Sequence, residues 1–426
     1  MTISKKMSAA PNIILFCITR RRSQVMIQRY SQGTSARRIF PILLIAEGLC
    51  LSGMSVDLTI TSLTGSSLAP APWMATFPIA CIFIGTVIGT PAMGRLVGRF
   101  GYRQVFVFGA LLAVLGGISS ATALRFHQFP LLCIGTFCVG IYQSGTNYYR
   151  YAAADSMPGK ESKAINGILS AGAIASIIGP VLATFFGIAT NIEYEGSYYV
   201  VSVLAACAVI VLLALPKIQS PTPAHMRDKA TASTTPNYPA LLTRPRFVLG
   251  ATISFVASFV MVLVMSGAPI VLESTFSQNA QTRMVAMQLH MVGMYLPPLF
   301  AIFIFHKKNS EMAQALTGLI IGMLGTVVAL AASASYAVTL DLLLIGISWS
   351  LCYAAGSALL TKSYTESERS WARGVGELAP VLGQVLGSVL AGVLLAAGWK
   401  TVFVTVLAMI VCALIAMAGY RNKIKS

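Results

Sequence analysis

Apolar and polar residues alternate along this chain in long blocks. Twelve stretches of roughly twenty mostly apolar residues lie near 41–64, 74–93, 104–124, 130–153, 164–189, 197–215, 247–271, 284–305, 312–332, 337–360, 374–396 and 400–419. A helix of about 20 residues matches the ~30 Å hydrocarbon core of a bilayer, so the pattern predicts an all-α membrane protein with twelve transmembrane helices. A composition of 56% hydrophobic and 10% charged residues is far from that of a soluble protein. An even number of crossings puts both termini on one side. Of the 30 basic residues, 26 fall in the tails and gaps on that side, while the opposite gaps hold Arg125, Arg283 and Lys400, and Arg150 lies inside a segment. Lys and Arg accumulate on the cytoplasmic side of membrane proteins. Both termini are therefore expected in the cytoplasm, with the chain in a bacterial inner membrane.

Charge changes this picture little. The formal net charge of +17 would suit a nucleic-acid partner if it were gathered on one soluble surface. It is spread over the gaps on the terminal side, which fits attraction to anionic headgroups of the lipid bilayer, and no nucleic-acid partner is expected. The eight cysteines sit almost entirely in apolar runs without a C-x-x-C pair, so neither a disulfide framework nor a metal site is expected, and no cofactor is implied. Residues 1–46 contain no acid and carry Arg20, Arg21, Arg22, Arg29, Arg37 and Arg38 among serines. Residues 1–40 read as a basic cytoplasmic tail; an organelle transit peptide shares that composition, and Met26 is an alternative start.

The gap at 216–246 is the longest and is rich in Pro, Thr, Ala and charge, which reads as a cytoplasmic linker. It divides the chain into six-helix bundles at 41–215 and 247–420, followed by a cytoplasmic tail at 421–426. The halves share weak internal likeness. Leu131–Gly135 aligns with Leu342–Gly346, and at the same offset Tyr142 meets Tyr353 and Gly145 meets Gly356. Gly179–Ala183 aligns with Gly387–Ala391, with Ala164 over Ala372 and Ala171 over Ala379. A duplicated six-helix unit with its axis along the membrane normal is the architecture of one large transporter class.

Between segments 2 and 3 runs Gly94-Arg95-Leu96-Val97-Gly98-Arg99-Phe100-Gly101-Tyr102-Arg103. Glycines allow a tight turn between two helices, while arginines stay with the headgroups and clasp acids on neighbouring helix ends. The run resembles the G-x-L-x-D-R-x-G-R-[RK] loop of the major facilitator superfamily, in the same place after the second helix, and the resemblance spans about residues 40–420. It implies a major facilitator fold. In that family the loop's Asp helps lock the halves in the outward-facing state, and the Arg after it pairs with an acid at the end of segment 4. Here Gly98 stands where the Asp usually does, and Asp155 ends segment 4. The resemblance thus implies a cytoplasmic gating loop of Gly94, Arg95, Arg99, Gly101 and Arg103 whose clasp is reduced to Arg99–Asp155; a merely solvated loop is the plain alternative. Segment 5 holds Gly172, Ser176, Gly179 and Pro180. It is similar to the antiporter motif of drug/proton antiporters in this superfamily, with Ser176 at one glycine position. Small residues and a proline suit a helix that rocks, and equally suit ordinary close packing.

Ionisable groups inside the membrane cost on the order of 3 kcal/mol even on the lenient insertion scale, so they mark function by default. Segment 1 carries Glu47 and Asp57, about 15 Å apart along a helix. Asp57 lies in Met54-Ser55-Val56-Asp57-Leu58-Thr59-Ile60, which resembles the segment-1 acidic motif of proton-coupled drug antiporters. A carboxyl that is dry in one state and wet in another can carry a proton across, so Asp57 and Glu47 are proton-coupling candidates; bonding to nearby Ser and Thr hydroxyls is the structural alternative. His290 in segment 8 could relay a proton or bond across helices. Arg150, in Asn147-Tyr148-Tyr149-Arg150-Tyr151, binds an anionic substrate or snorkels to headgroups. Asp341 and Glu377, near segment edges, are weaker candidates. Asn147, Tyr148, Tyr149, Trp349 and Tyr353 are candidates for a substrate cavity, although membrane aromatics also serve packing and interface belts.

No H-E-x-x-H, P-loop or G-x-S-x-G sequence is present, so no enzyme is expected and transport would draw on a gradient instead of ATP. The resemblance implies a secondary active transporter that moves a small organic solute by alternating access through a cavity lined by segments 1, 4, 7 and 10. It favours proton-coupled export of drug-like compounds or metabolites by a monomer. Proton-driven uptake of a small metabolite, and a non-transporting sensor or assembly protein on the same fold, are the alternatives.

Overall fold

The computed structural model describes residues 10–157, 161–216, 238–297, 311–365 and 368–425. In the absence of water a backbone can satisfy its N–H and C=O groups only within helices or closed barrels, and the regular structure among the described residues is helical. The first half contains α1 (Ala10–Leu68), α2 (Phe77–Phe100), α3 (Tyr102–Arg125), α4 (Phe129–Thr146), α5 (Tyr149–Ser156), α6 (Glu161–Leu169), α7 (Ala171–Gly187) and α8 (Glu195–Leu213). The second contains α9 (Tyr238–Leu242), α10 (Pro245–Ser274), α11 (Ala280–Tyr295), α12 (Glu311–Ala332), α13 (Ser335–Thr361), α14 (Arg369–Ala397) and α15 (Trp399–Lys425). Ten helical stretches are long and apolar enough to cross a bilayer, among them Arg38–Leu68 of α1 and Phe129–Ser156, which joins α4 and α5.

The remaining two segments of the twelve behave differently. Segment 5 divides into α6 and α7, and only Ala171–Gly187 is an apolar helix in its own right. Segment 8 is represented by α11, and its end at 298–305 lies outside the described residues, as does most of the linker. The expected tail before residue 41 is a helix continuous with segment 1 from Ala10 onward. Segment 4 breaks at Asn147 and Tyr148, where the ladder tightens so that Tyr148 N–H reaches Gly145 O at 3.1 Å. Glycine makes the sharpest corners: Gly101 (φ 83°) joins α2 to α3 and Gly398 (φ 127°) joins α14 to α15, backbone conformations that side chains with a Cβ disfavour.

Lipid is as apolar as a side chain, so these helices associate through close packing over small residues. A Cβ on Gly85 or Gly140 would strike the backbone of the opposing helix where α2 crosses α4. In the second half, Gly383 and Gly387 of α14 sit against the carbonyls of Phe255 and Phe259 of α10, each 2.5 Å from where a Cβ would be. Gly179 of α7 meets Ser55 of α1 in the same way, so the aligned Gly179 and Gly387 press segment 5 on segment 1 and segment 11 on segment 7. Among the described residues two large buried cores result, beside a small cluster of Leu241, Phe247, Leu360 and Ala372. One runs from Ile39 to Leu215; the other runs from Leu249 to Met417 and takes in only Ile79 and Phe83 from the first half. Leu58 of α1 packs against both. Phe185, Ile188, Ile210 and Ile415 are exposed, as residues facing acyl chains should be.

The halves meet along α2 with α14, α7 with α11, and α1 with α10. We call the side that carries the chain termini the basic face and its opposite the far face. At the far face, Arg283 donates to Tyr194 OH at 2.7 Å and to Gln278 O at 2.8 Å, and pairs with Glu273 at 2.9 Å. Tyr194 holds a left-handed backbone, φ 66°. Thr76 ties α2 to α14 nearby, donating to Ser388 O at 2.6 Å and accepting from Gly392 N–H at 2.8 Å. Toward the basic face, a Cβ on Gly98 of α2 or Gly374 of α14 would meet nothing within 4 Å. Thr76 and Arg283 thus join the halves on the far side.

Within the second half, the basic face is clasped by Arg244, whose guanidinium grips both oxygens of Glu368 at 2.7 and 2.8 Å and also reaches Ser363 O at 2.9 Å. That fork, with the Thr365 N–H behind it, holds the Glu368 carboxyl down at about 2, against an ordinary 4.5. A depressed carboxylate contributes stability that is complete above its unfolded value and is lost as pH falls through its folded one. The melting temperature of detergent-solubilised protein should therefore exceed that of Glu368→Gln by a constant margin above about pH 4.5, and the margin should shrink as pH falls toward 2. Scanning fluorimetry across that range checks it; a margin that grows on acidification would contradict the clasp.

Candidate functional site

Polar atoms buried without a partner are costly, about 1–3 kcal/mol each and more when charged, and they show where a membrane protein is built to hold something else. Several gather in one place. Glu47 Oε2, Arg150 Nε, Tyr142 OH and Tyr149 OH are all buried without a hydrogen-bond partner among the described residues. Arg150 of α5 lies within electrostatic reach of Glu47 on α1, and its guanidinium sits over the Tyr151 ring, 5.0 Å from the centroid. Tyr149 packs edge-on against Phe106 at 4.4 Å, so its ring belongs to the core of the first half while its hydroxyl faces the pair. Cys50, one turn along from Glu47, donates toward Gln143 Oε1 and Thr146 Oγ1 of α4. The break between α4 and α5 is what turns Tyr149 and Arg150 toward α1.

The second half contributes Tyr295, at the end of α11, which is electrostatically coupled to Glu47 and Cys50. It reaches them by lying on Gly172 of α7: a Cβ there would be 2.5 Å from Tyr295 Cε1. Gly172 therefore seats an aromatic ring from the opposite half, and Gln288, two turns from Tyr295 on α11, donates to Ile177 O at 2.9 Å along the same seam. Glu47, Arg150 and Tyr295 thus sit where the halves meet. Tyr295 is not picked out by sequence, because an isolated tyrosine in an apolar run carries no motif, and Tyr142 appears there only as the repeat counterpart of Tyr353.

The other sequence candidates lie elsewhere. Asp57 is buried with both carboxylate oxygens unpartnered, but it shares a face of α1 with Gly53, Thr61 and Thr64. That face meets α8, with Gly53 against Val201 and both threonine hydroxyls on Tyr198 OH at 3.2 and 2.7 Å. Asp57 therefore points into the first bundle, some three helical turns from Glu47. His290 bonds through Nδ1 to Leu342 O at 2.7 Å, tying α11 to α13 within the second bundle. Asp341, expected at a shallow edge, is fully buried and accepts from Thr326 at 3.1 Å; Glu377 is exposed. Trp349 and Tyr353 stack in parallel on α13, centroids 5.2 Å apart, and Trp349 donates to Ser258 of α10 at 3.3 Å. Asn147 occupies the break in segment 4. Tyr148 does not face the pair: its hydroxyl donates to Thr90 O at 3.0 Å and presses on Gly94, which gives that glycine of the loop a packing reason.

The expected Arg99–Asp155 clasp is not formed. Asp155 accepts from Tyr102 OH at 2.9 Å, while Arg99 lies over the Phe100 ring at 5.2 Å. In the family that clasp belongs to the state closed on the basic side. Arg95 is exposed, and Gly98 has room for a side chain, so packing does not dictate the missing Asp. In α7, Ser176 is buried and bonds Ala173 O at 2.7 Å, and Pro180 is buried beside Gly179. Among the described residues no group of three His, Cys, Asp or Glu could hold a metal ion.

Residues 43–375 match the sequence model of the Major Facilitator Superfamily. The chain is 26% identical over 378 residues to the riboflavin transporter RfnT of Brucella anthropi, covering 87% of this chain and 93% of that protein. In fold it resembles a mutant of the nucleoside transporter NupG, with a TM-score of 0.69 at 14% identity over 89% of this chain and 99% of the other. It also resembles a D-xylose–proton symporter, with a TM-score of 0.67 at 18% identity over 88% and 96% of the two chains.

The seat of Tyr295 can be tested on its own. Gly172→Val should displace the ring and lower solute flux at least tenfold, and Tyr295→Ala should restore part of that loss, because the two changes act on one contact and should not add. Additive losses would separate the two residues.

Proposed function

The chain belongs to the Major Facilitator Superfamily and is a membrane transporter of a small solute, not an enzyme, and from that premise we propose that it moves a planar organic compound of riboflavin's kind in exchange with protons, with Glu47 and Arg150 at the centre of the site. The observation that carries this reading is the pair of buried atoms without a hydrogen-bond partner, Glu47 Oε2 and Arg150 Nε, with the buried hydroxyls of Tyr142 and Tyr149 beside them at the seam of the two halves. The substrate class is supported by the riboflavin-transporting relative and by the aromatic pair Trp349/Tyr353 beside α10, whose flat faces suit a ring system.

The chemistry is a competition between proton and solute for Glu47. While Glu47 is ionised beside Arg150, neither ion has to be left alone in a dry site, which would cost several kcal/mol. The ionised carboxylate accepts an N–H or O–H of the solute while the fork of Arg150 donates to a carbonyl, imide or phosphate oxygen; when Glu47 takes up a proton that acceptor is lost and the solute is released. Proton and solute thereby exclude one another at one carboxylate, as exchange requires. Thr76 and Arg283 join the halves on the far face, and Asp155 bonds Tyr102 instead of Arg99 on the basic face; with cytoplasmic termini, as the distribution of Lys and Arg supports, we read this arrangement as the inward-facing state of a monomeric carrier in a bacterial inner membrane. Export is the favoured direction. Asp57 has no seat at the seam, and we assign it to the interior of the first bundle.

Proteoliposomes with an internal pH dye test the assignment, with riboflavin as first probe and a nucleoside and a pentose as comparators. Glu47→Gln should abolish solute-dependent proton movement while leaving solute counterflow; Asp57→Asn should keep both. Arg150→Lys keeps the charge but loses the planar fork and should cut riboflavin flux tenfold or more. Unaltered proton movement in Glu47→Gln would remove Glu47 from the coupling.

A further inference from the structure

Thr76 begins α2, the position where a threonine hydroxyl ordinarily accepts a hydrogen bond from the second or third N–H of its own helix. It makes no such bond. Pro78 removes one of those two donors, and the remaining Ile79 N–H goes to the Thr76 carbonyl at 3.1 Å, so α2 exerts little hold on the hydroxyl. The hydroxyl crosses instead to the other half of the molecule. It accepts from Gly392 N–H at 2.8 Å and donates to Ser388 O at 2.6 Å. Those two groups stand four residues apart in α14, the spacing that an α-helix joins directly. Thr76 and Ser388 are fully buried. Gly392 has to be a glycine here, because a Cβ would strike Trp73 O and lie 2.9 Å from Thr76 Oγ1.

We propose that Thr76 is the reversible latch of the far face, a positioning residue that sets how much of the transport cycle the protein spends closed on that side. The arrangement leaves every polar group satisfied in both states. With the far face closed, the hydroxyl bridges Gly392 and Ser388. With it open, Gly392 N–H and Ser388 O have each other, four residues apart in α14, and the hydroxyl meets water at the mouth. An exchange of one set of hydrogen bonds for another costs little, whereas stranding a buried donor would resist opening. The inference rests on alternating access as the transport mode, but on neither the solute nor the coupling ion.

Spin labels at Gln128 and Tyr336, exposed far-face positions on opposite halves, read the separation directly in a background with the native cysteines replaced. Thr76→Val keeps the shape and removes the hydroxyl; it should shift the closed-to-open ratio on the order of tenfold toward the longer distance, while Thr76→Ser stays near the parent. Gly392→Ala should shift it the same way, although alanine favours an isolated helix over glycine, so the shift cannot be a loss of helix stability. Distributions for Thr76→Val and Gly392→Ala that match the parent would overturn the latch, as would a Thr76→Ser distribution as open as that of Thr76→Val. All are read without substrate, so a wrong solute or coupling residue would leave the result intact.

Discussion

A bilayer offers no water to an unpaired N–H, C=O or charge, and this molecule is organised around that scarcity. It forces the chain into helices, and it makes the few unsatisfied side chains conspicuous. Helix packing cannot draw on a difference between side chain and lipid, so it draws on contact area, and glycine supplies it. The crossings of α2 with α4 and of α14 with α10 bring backbone against backbone at Gly85, Gly140, Gly383 and Gly387. These crossings sit within a half and give each bundle the rigidity to move as a unit. The seam between halves has a different character: a ring on a glycine, a hydroxyl in a helix ladder, an arginine on a tyrosine. Such contacts are local and exchangeable, which suits surfaces that must part.

Against that background the Glu47–Arg150 site is an exception kept for a purpose. A permanent structural pair would be expected to saturate its remaining donors and acceptors with neighbouring side chains. This one leaves Arg150 Nε and one Glu47 oxygen unused, with two tyrosine hydroxyls alongside. The unused valences lie between rigid bundles, where a change in what occupies them can alter how the bundles meet.

Much of this was legible in the chain. Block length revealed the membrane-spanning helices, while the skew of Lys and Arg supplies an expected orientation. The aligned Gly179 and Gly387 occupy matching contacts. The finer geometry was hidden because polar and apolar residues are spread around the whole circumference of segment 1, so periodicity does not say which side of the helix meets which neighbour. Glu47 and Asp57 were equally visible; only the contacts of Gly53, Thr61 and Thr64 with α8 turn Asp57 into the first bundle and leave Glu47 for the seam. Breaks in segments 4 and 5 went unseen because Asn147, Tyr148 and Ser170 are poor breakers on paper. Tyr295 and Thr76 were invisible for a different reason: their importance lies in a partner some hundred or more residues away.

Tyr194 adds a mechanical property to the closed far face. A non-glycine residue in the left-handed region costs about 1 kcal/mol or more, and here it is Arg283 that holds the tyrosine hydroxyl in place from the other half. The backbone under that grip is braced within the first half, with Tyr194 N–H on Gly187 O at 2.8 Å, so the arginine takes hold of a fixed post and can let go of it without the loop beneath having to refold.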